Sequence, residues 1–197
     1  MPLTPPGLMG LLSPLMSGAG FAGTMAQPMA LAISNAVTTY LLSLQVKTTD
    51  VGTFGTGVGT GKVIITPPQL VGPLLGAATA NNLKGTSTPG LMTAIGNAVA
   101  SFIASMAIVQ TQHPTVAVGS GIGQLLIIGG PAPLQGQLMG MLSAGGFAGQ
   151  STPSFATAVA QGLTQGLATA QIIQVIAGSP VVPPPVPSSG VGIGKML

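Results

Sequence analysis

The sequence lacks cysteine, arginine, glutamate and tryptophan, and only 3% of its 197 residues are charged. Its one acidic residue is Asp50 and its one histidine is His113, and the two lie far apart in the sequence. Catalysis by paired carboxylates and binding of zinc or iron both need several such side chains together. The four lysines are scattered and do not form the basic patch that nucleic-acid binding needs. The composition therefore argues against an enzyme, and it predicts no metal, no cofactor, no small-molecule substrate and no nucleic-acid partner.

Charge is missing altogether from a long stretch of the chain. If His113 is neutral, no residue between Gly85 and Gly194 carries a charge. A soluble protein surface normally has about 25–35% charged residues, and folding alone leaves much of a chain of this size exposed. We therefore expect the neutral surface to be covered by other protein subunits or, alternatively, by lipid. The isolated chain is accordingly predicted not to be a stable, soluble monomer.

Three copies of one unit account for the whole chain, with predicted boundaries at residues 1–65, 66–129 and 130–197. The recurring sequences are ISNAV at 33–37 and IGNAV at 95–99, STP at 87–89 and 151–153, and GFAG at 20–23 and 146–149. Repeats at such a spacing are typical of units that stack to share a core. In the third copy, a proline-rich segment at 178–189 is predicted to form a polyproline II spacer.

Within each unit, the residue pattern predicts two helices and one strand. Short, irregular helices are expected at about 6–17, 68–79 and 133–143. A longer helix follows, with Thr88 and Thr152 as predicted N-caps ahead of a proline, and apolar residues at helical spacing. Each unit ends in a run of alternating glycines that favours a strand. The predicted fold class is an α-rich α+β fold of three tandem copies of a ~62-residue unit (short helix, long helix, glycine-comb strand), an order that allows pseudo-threefold symmetry.

The runs of alternating glycines, here called the glycine combs, are GVGTGKVI at 57–64, GSGIGQLLI at 119–127 and GVGIGKML at 190–197. Alternating glycine leaves one face of a strand bare, so that another backbone can approach it closely. Such a strand should become ordered only by pairing with a neighbouring unit or a partner chain. Matched amides on the long helices are candidates for hydrogen bonds between units. The predicted assembly interface consists of Gly57, Gly59, Gly61, Gly119, Gly121, Gly123, Gly190, Gly192, Gly194, Asn35, Asn97 and Gln161.

The combs do not match a nucleotide-binding loop. A phosphate loop needs serine or threonine after its lysine, but Val63 follows Lys62, and Gln124 takes the place of the lysine in the second unit. Lysine replacements at Lys62 and Lys195 are therefore expected to matter less than glycine replacements in the combs. His113, which precedes a proline, is interpreted as a satisfied loop residue.

The triplicated unit, the absence of cysteine and the uncharged Gly/Ala/Thr-rich composition resemble bacteriophage virion structural proteins, in particular tail or baseplate components of contractile-tailed phages. The resemblance implies a non-enzymatic subunit that packs against other structural subunits of one particle, in hetero- or homo-oligomeric contacts. It also implies a virion protein assembled in the host cytoplasm. Some spike caps in such tails have internal threefold repeats, but this chain lacks the Cys/His metal site of the PAAR-type caps.

Two other functions remain open from the sequence. Uncharged segments at 29–46, 91–109 and 155–177 approach the roughly 20 residues that span a bilayer, and the mean hydropathy is +0.69. A multi-spanning membrane or viral envelope protein is therefore the alternative. Against it, these segments contain Ser, Asn, Thr and Gln, and the chain lacks the belt of Trp and Tyr and the Lys/Arg-rich loops that accompany spanning helices. The third function is an extracellular filament or adhesive subunit, since glycine-rich neutral chains also serve there.

Overall fold

A computed structural model of the chain describes residues 3–21, 23–53, 56–64, 69–115, 118–127, 129–178 and 188–196. These residues form six helices and six strands in the same order in each unit: two helices, then two strands. The helices are α1 (Pro5–Gly18), α2 (Ala26–Ser43), α3 (Val71–Ala80), α4 (Thr88–Ser105), α5 (Ala132–Ala144) and α6 (Thr152–Thr169). The strands are β1 (Gln45–Thr53), β2 (Thr56–Ile64), β3 (Ala107–Thr115), β4 (Val118–Leu126), β5 (Gln171–Gly178) and β6 (Ser188–Met196).

Two of the long helices, α4 and α6, begin one residue earlier than the sequence predicts. Thr88 and Thr152 are the first helical residues, and the N-caps are Ser87 and Ser151, which make no capping hydrogen bond through their side chains. The Thr152 hydroxyl instead donates to the Phe147 carbonyl at 2.7 Å and accepts from the Gly149 amide at 3.0 Å. Thr152 thus holds the preceding turn against the helix rather than capping it.

The three short helices end in the same turn. Gly20, Asn82 and Gly146 occupy matched positions after these helices and have φ angles of 87°, 56° and 81°. Such left-handed residues end a helix because glycine, and less readily asparagine, tolerates positive φ. The next residue then bonds back to the last turn, as Phe147 does to the Leu142 carbonyl at 2.8 Å. The residues after the two left-handed glycines reach a neighbouring long helix: Phe21 contacts Phe155 of α6, and Phe147 lies next to Gly90 of α4.

The helices form a closed ring in which each short helix lies between two long ones. Each of α1, α3 and α5 packs against the long helix of its own unit and that of the preceding unit, so that α1 packs on α6 and closes the ring. Leucines at i, i+4 spacing form the buried stripe of these helices, such as Leu8 and Leu12 on α1 and Leu134 and Leu138 on α5. No unit can bury its apolar face alone.

Matched positions of the three long helices supply the centre of a single core. Ile33, Ile95 and Val159 are fully buried, as are Val37, Val99 and Leu163 one turn further on. The long helices are accordingly buried over many more positions than the short ones. One continuous cluster joins all six helices, so the units share one core and do not fold as three subdomains.

After each long helix the chain enters a hairpin, and the three hairpins join into a closed antiparallel barrel of six strands in sequence order. β1, β3 and β5 start directly after the long helices. The second strand of each hairpin, which contains the comb, pairs with the first strand of its own unit and with the first strand of the next unit. β6 pairs with β1 and completes the circle.

The predicted fold class, an α-rich α+β fold built from three units with one comb strand each, is wrong. The six helices take up 74% of the residues whose side chains the structure describes, and every described core residue lies on a helix or beside one. Each unit also contributes a hairpin of two strands rather than a single strand. The residue pattern does not reveal the first strand of each hairpin (such as Gln45–Thr53), because that segment varies among the units and has no glycine comb.

Candidate assembly site

One apolar cavity opens at the end of the ring where the long helices begin. Its volume is about 360 Å³. We call it the apolar cup, and its lining consists of Met16, Phe21, Gly23, Met25, Ala26, Met29, Leu91, Leu142, Phe147, Ser151, Thr152 and Phe155. None of these side chains titrates near neutral pH, so the cup offers dispersion contacts and an apolar surface but no acid, base or metal ligand.

The floor of the cup is built from equivalent positions of the three units. Met29, Leu91 and Phe155 are each the fourth residue of a long helix. The identity of the side chain at this position differs in every unit, so the cup is not threefold symmetric in shape. Its lining comes mainly from the first and third units, with Leu91 from the second.

The walls of the cup come from the turns that follow the short helices. The ring of Phe21 meets the ring of Phe155 edge to face, with centroids 5.2 Å apart and an interplanar angle of 62°. Phe147 lies over Gly90 at the start of α4, where an added Cβ would be 3.4 Å from its ring. Each of these aromatic rings thus bridges from its own unit to a neighbouring one.

The helical ring carries almost no charge. Lys84, exposed in the turn between α3 and α4, is its single charged residue, and Lys47, Asp50, Lys62 and Lys195 all belong to the barrel strands. Thr, Ser, Asn and Gln supply the other polar positions of the ring, and glycines, prolines and some apolar side chains such as Met25 and Leu42 are exposed as well. When a partner covers the ring, few charged groups of the ring therefore lose their hydration. That loss of hydration is the main cost of burying a charged surface.

The matched amides occupy equivalent positions, as their spacing predicts. Asn35, Asn97 and Gln161 are each the tenth residue of an 18-residue helix, and all three are half-buried. Gln161 lines a groove between α1 and α6 together with Pro14 and Pro153. A side-chain bond between helices that the sequence did not suggest joins the Gln135 amide nitrogen to the Thr157 hydroxyl at 2.8 Å. A role for the three amides in assembly stays a prediction.

The comb glycines are brought together by the barrel rather than left at an open edge. In the strand register, Gly59 pairs with Asp50 on one side and Gln110 on the other, and Gly121 pairs with Gln112 and Gln174. Both backbone edges of each comb strand are therefore occupied by strands of the same chain. The other predicted comb residues lie at alternating positions of the same strands: Gly57, Gly61, Gly119, Gly123, Gly190, Gly192 and Gly194. Their proposed contact with partner subunits stays a prediction.

Two further sequence interpretations concern the barrel. His113 was predicted to be a loop residue, but the backbone places it on β3, paired with Ser120. The loop interpretation is wrong because the extended backbone that a residue before proline prefers fits a strand as well as a loop, and Pro114 itself pairs with Gly119. Most of the proline-rich spacer predicted at 178–189 lies outside the described residues.

A buried hydroxyl group lies deeper in the ring. Tyr40 is 1% exposed, and among the described residues its hydroxyl has no hydrogen-bond partner. Burial raises the pKa of Tyr40 from 10.0 to about 12, because the charged phenolate would lose its hydration. The helical pattern does not indicate this buried hydroxyl, since tyrosine and phenylalanine fit the same pattern.

Among the described helices, none has both the length and the apolar character to cross a membrane. The described residues also include no cluster of three or more histidine, aspartate or similar ligands for a metal. No known protein family, curated protein sequence or solved structure matches the chain.

Proposed function

We propose that the chain is a non-enzymatic structural subunit of a large assembly, of the bacteriophage tail or baseplate type. In this role one chain occupies a threefold axis of the particle and packs through its neutral faces against other structural subunits. The observation that carries the proposal is the surface of the ring, where Lys84 is the single charged residue among six helices. Soluble surfaces of free domains normally carry far more charge.

The internal symmetry supports the position on an axis. Three equivalent units around one core present three similar faces, so one chain can meet three copies of a partner in similar ways. The equivalence of the units extends to matched positions on the long helices and to the matched turns at Gly20, Asn82 and Gly146. The repeat therefore suits a chain that makes three equivalent contacts.

The apolar cup supports a buried contact at one end of the ring. Met25, at its rim, is 48% exposed, and large apolar patches on a protein surface commonly mark interaction sites. Leu42, near the other end of the same helix, is also 48% exposed and does not line the cup. The two residues therefore form a matched pair for testing which end makes the contact.

The first test is quantitative mass spectrometry of particles purified without detergent from the source of the sequence. We expect the chain in the particle fraction at a few copies per particle, in proportion to its threefold axes. Recovery only in detergent-extracted membranes would overturn the proposal in favour of a membrane protein. A monodisperse 19.1 kDa species at tens of micromolar in light scattering would also count against it.

The matched pair of variants tests the contact itself. Met25→Lys should lower incorporation into particles, because a charge at the rim of the cup must lose its hydration when a partner covers it. Leu42→Lys has the same chemical change at the same exposure and should have little effect. Equal incorporation of both variants would show that the cup is not an assembly contact.

A further inference from the structure

Three of the four lysines, which are scattered in the sequence, are brought together by the barrel. Lys47 on β1 pairs directly with Lys62 on β2. On the other side of β1, Lys195 of β6 pairs with Gln45, two residues before Lys47. Adjacent strands are about 4.8 Å apart, so the three lysines lie on three adjacent strands within a width of about 10 Å.

The strand register also puts these lysines on one face of the barrel wall. Residues that pair across strands share a face, and alternate residues along a strand share it too. By this rule Gln45, Lys47, Lys62 and Lys195 lie on the same face, and all the comb glycines lie on the opposite face. A barrel of six strands has a narrow interior, so the face with the glycines fits the interior and the face with the lysines fits the outer surface. Asp50, the one acidic residue, is an odd number of positions from Lys47 and therefore lies on the opposite face with its partners Gly59 and Gly190.

This placement costs stability unless something offsets it. Like charges directly opposite each other on paired strands are destabilising, and no acidic residue shares the face. The fold does not require the lysines either. In the second unit, Gln124 and Val109 occupy the positions equivalent to Lys62 and Lys47 and pair in the same way. The positive charge is therefore confined to one side of an otherwise threefold-repeated barrel.

We propose that Lys47, Lys62 and Lys195 form a docking surface for the carboxylate side chains of an acidic segment on a partner protein. This inference names the chemistry of a partner and so rests on the proposed role of the chain as an assembly subunit. Charge complementarity selects the partner, because carboxylates would neutralise the repulsion between Lys47 and Lys62 that the chain itself leaves uncompensated. Since the patch occurs once per chain, binding at it would also select one of the three rotational orientations that a pseudo-threefold ring can take relative to its neighbours.

The test measures binding of a fluorescent hexaglutamate peptide to the full chain by anisotropy at low salt, at a chain concentration well below the tens of micromolar at which the chain is expected to associate. The triple variant Lys47→Val, Lys62→Gln, Lys195→Gln copies residues that the chain already has at equivalent positions, so it should fold. We expect it to bind at least about tenfold more weakly than the unmodified chain, as expected for the loss of three surface ion pairs. Circular dichroism and thermal unfolding of each variant verify the fold.

The matched control compares single changes of one charge. Lys47→Val should weaken binding, whereas Lys84→Gln, in the helical ring, should leave it nearly unchanged. Equal weakening by both would mean that net charge alone attracts the peptide, and the proposal would be wrong. It would also be wrong if hexaglutamate failed to bind, or if only tripolyphosphate or single-stranded DNA bound. Because no particle is needed, these outcomes are independent of the mass-spectrometric test of the proposed function.

Discussion

Leu12 of α1 packs directly onto Gly162 of α6, at the contact that closes the helical ring. A Cβ atom at Gly162 would lie 2.5 Å from Cδ2 of Leu12 and 3.3 Å from its backbone Cα. One turn further on, a Cβ at Gly166 would lie 2.6 Å from Cδ1 of Leu8. The two glycines therefore let the first helix of the chain approach the last one closely.

Gly162→Ala should destabilise the chain despite the better helix propensity of alanine. The added methyl group meets a backbone atom that cannot move alone, so we expect overpacking to lower the free energy of unfolding by about 1–3 kcal/mol. The higher helix propensity of alanine offsets about 1 kcal/mol of this loss. Urea unfolding measures the difference. Gly76→Ala on α3, where an added Cβ meets nothing within 4 Å, is the control and should be stabilising. Equal effects at both sites would contradict the close approach of α1.

The left-handed turn residues make a second prediction. Gly146→Ala should lower the free energy of unfolding by about 1–2 kcal/mol, because alanine at positive φ is strained, although a Cβ there meets no other atom. Asn82→Gly should raise it, since the second unit would then have the residue found at Gly20 and Gly146. Thermal unfolding of both variants tests this, and opposite signs are required. If Asn82→Gly were destabilising, the asparagine side chain would have a role that its backbone angle does not explain.

Tyr40 predicts a loss of stability at high pH. Its pKa is about 12 in the folded chain against 10.0 for the exposed side chain. Between these values the unfolded chain releases the proton more readily. This contribution leaves the stability unaffected below pH 10, lowers it by about 1.4 kcal/mol per pH unit from there to about pH 12, and causes no further loss above that. Tyr40→Phe should abolish this fall in stability, which distinguishes the effect of Tyr40 from that of lysine titration. The same change should not lower the stability at pH 7, because it removes a buried hydroxyl that has no hydrogen-bond partner.

The measurement for Tyr40 is direct, because it is the only tyrosine of the chain. Phenolate absorbance reports its ionisation, and urea unfolding at several pH values reports the stability of the wild type and of Tyr40→Phe. Ionisation at pH 10 in the folded chain would mean that the hydroxyl is hydrated, which contradicts its burial.

The contact between Phe21 and Phe155 predicts a measurable coupling across two units. Phe21→Leu and Phe155→Leu copy the residues at the equivalent positions of the second unit, Leu83 and Leu91. A double-mutant cycle from urea unfolding should give a coupling of about 0.5–1.5 kcal/mol, as for other edge-to-face pairs. A control cycle of Phe21→Leu with Phe102→Leu should be additive within about 0.5 kcal/mol. Additivity in both cycles would contradict the ring contact.

The sequence predicted the helices well because their signals are local. The short helices lie within three residues of their predicted bounds, since leucine spacing and the flanking proline and glycine are visible in each segment. The fold class could not be predicted in this way. Whether Leu12 packs within its own unit or against Gly162 of another unit depends on a contact between the two ends of the chain, and a single repeat contains no information about it.

The candidate sites depended on tertiary contacts to a greater degree. Phe21 and Phe147 belong to a repeated GFAG sequence, but their place in the cup follows from the left-handed turn and from the neighbouring unit. Lys47 and Lys62 are separated by 15 positions in the sequence. Only the strand register makes them neighbours, so the charge cluster was not visible among scattered lysines.

The contact of α1 with α6 also sets the order of events during synthesis. Leu12 is made 150 residues before Gly162, which at typical ribosomal speeds means a wait of roughly 8–30 s. Throughout that time the apolar stripe of α1 has no permanent cover on one side. The nascent chain must therefore shield it temporarily or rely on a chaperone, and the ring is completed only as the last helix leaves the ribosome.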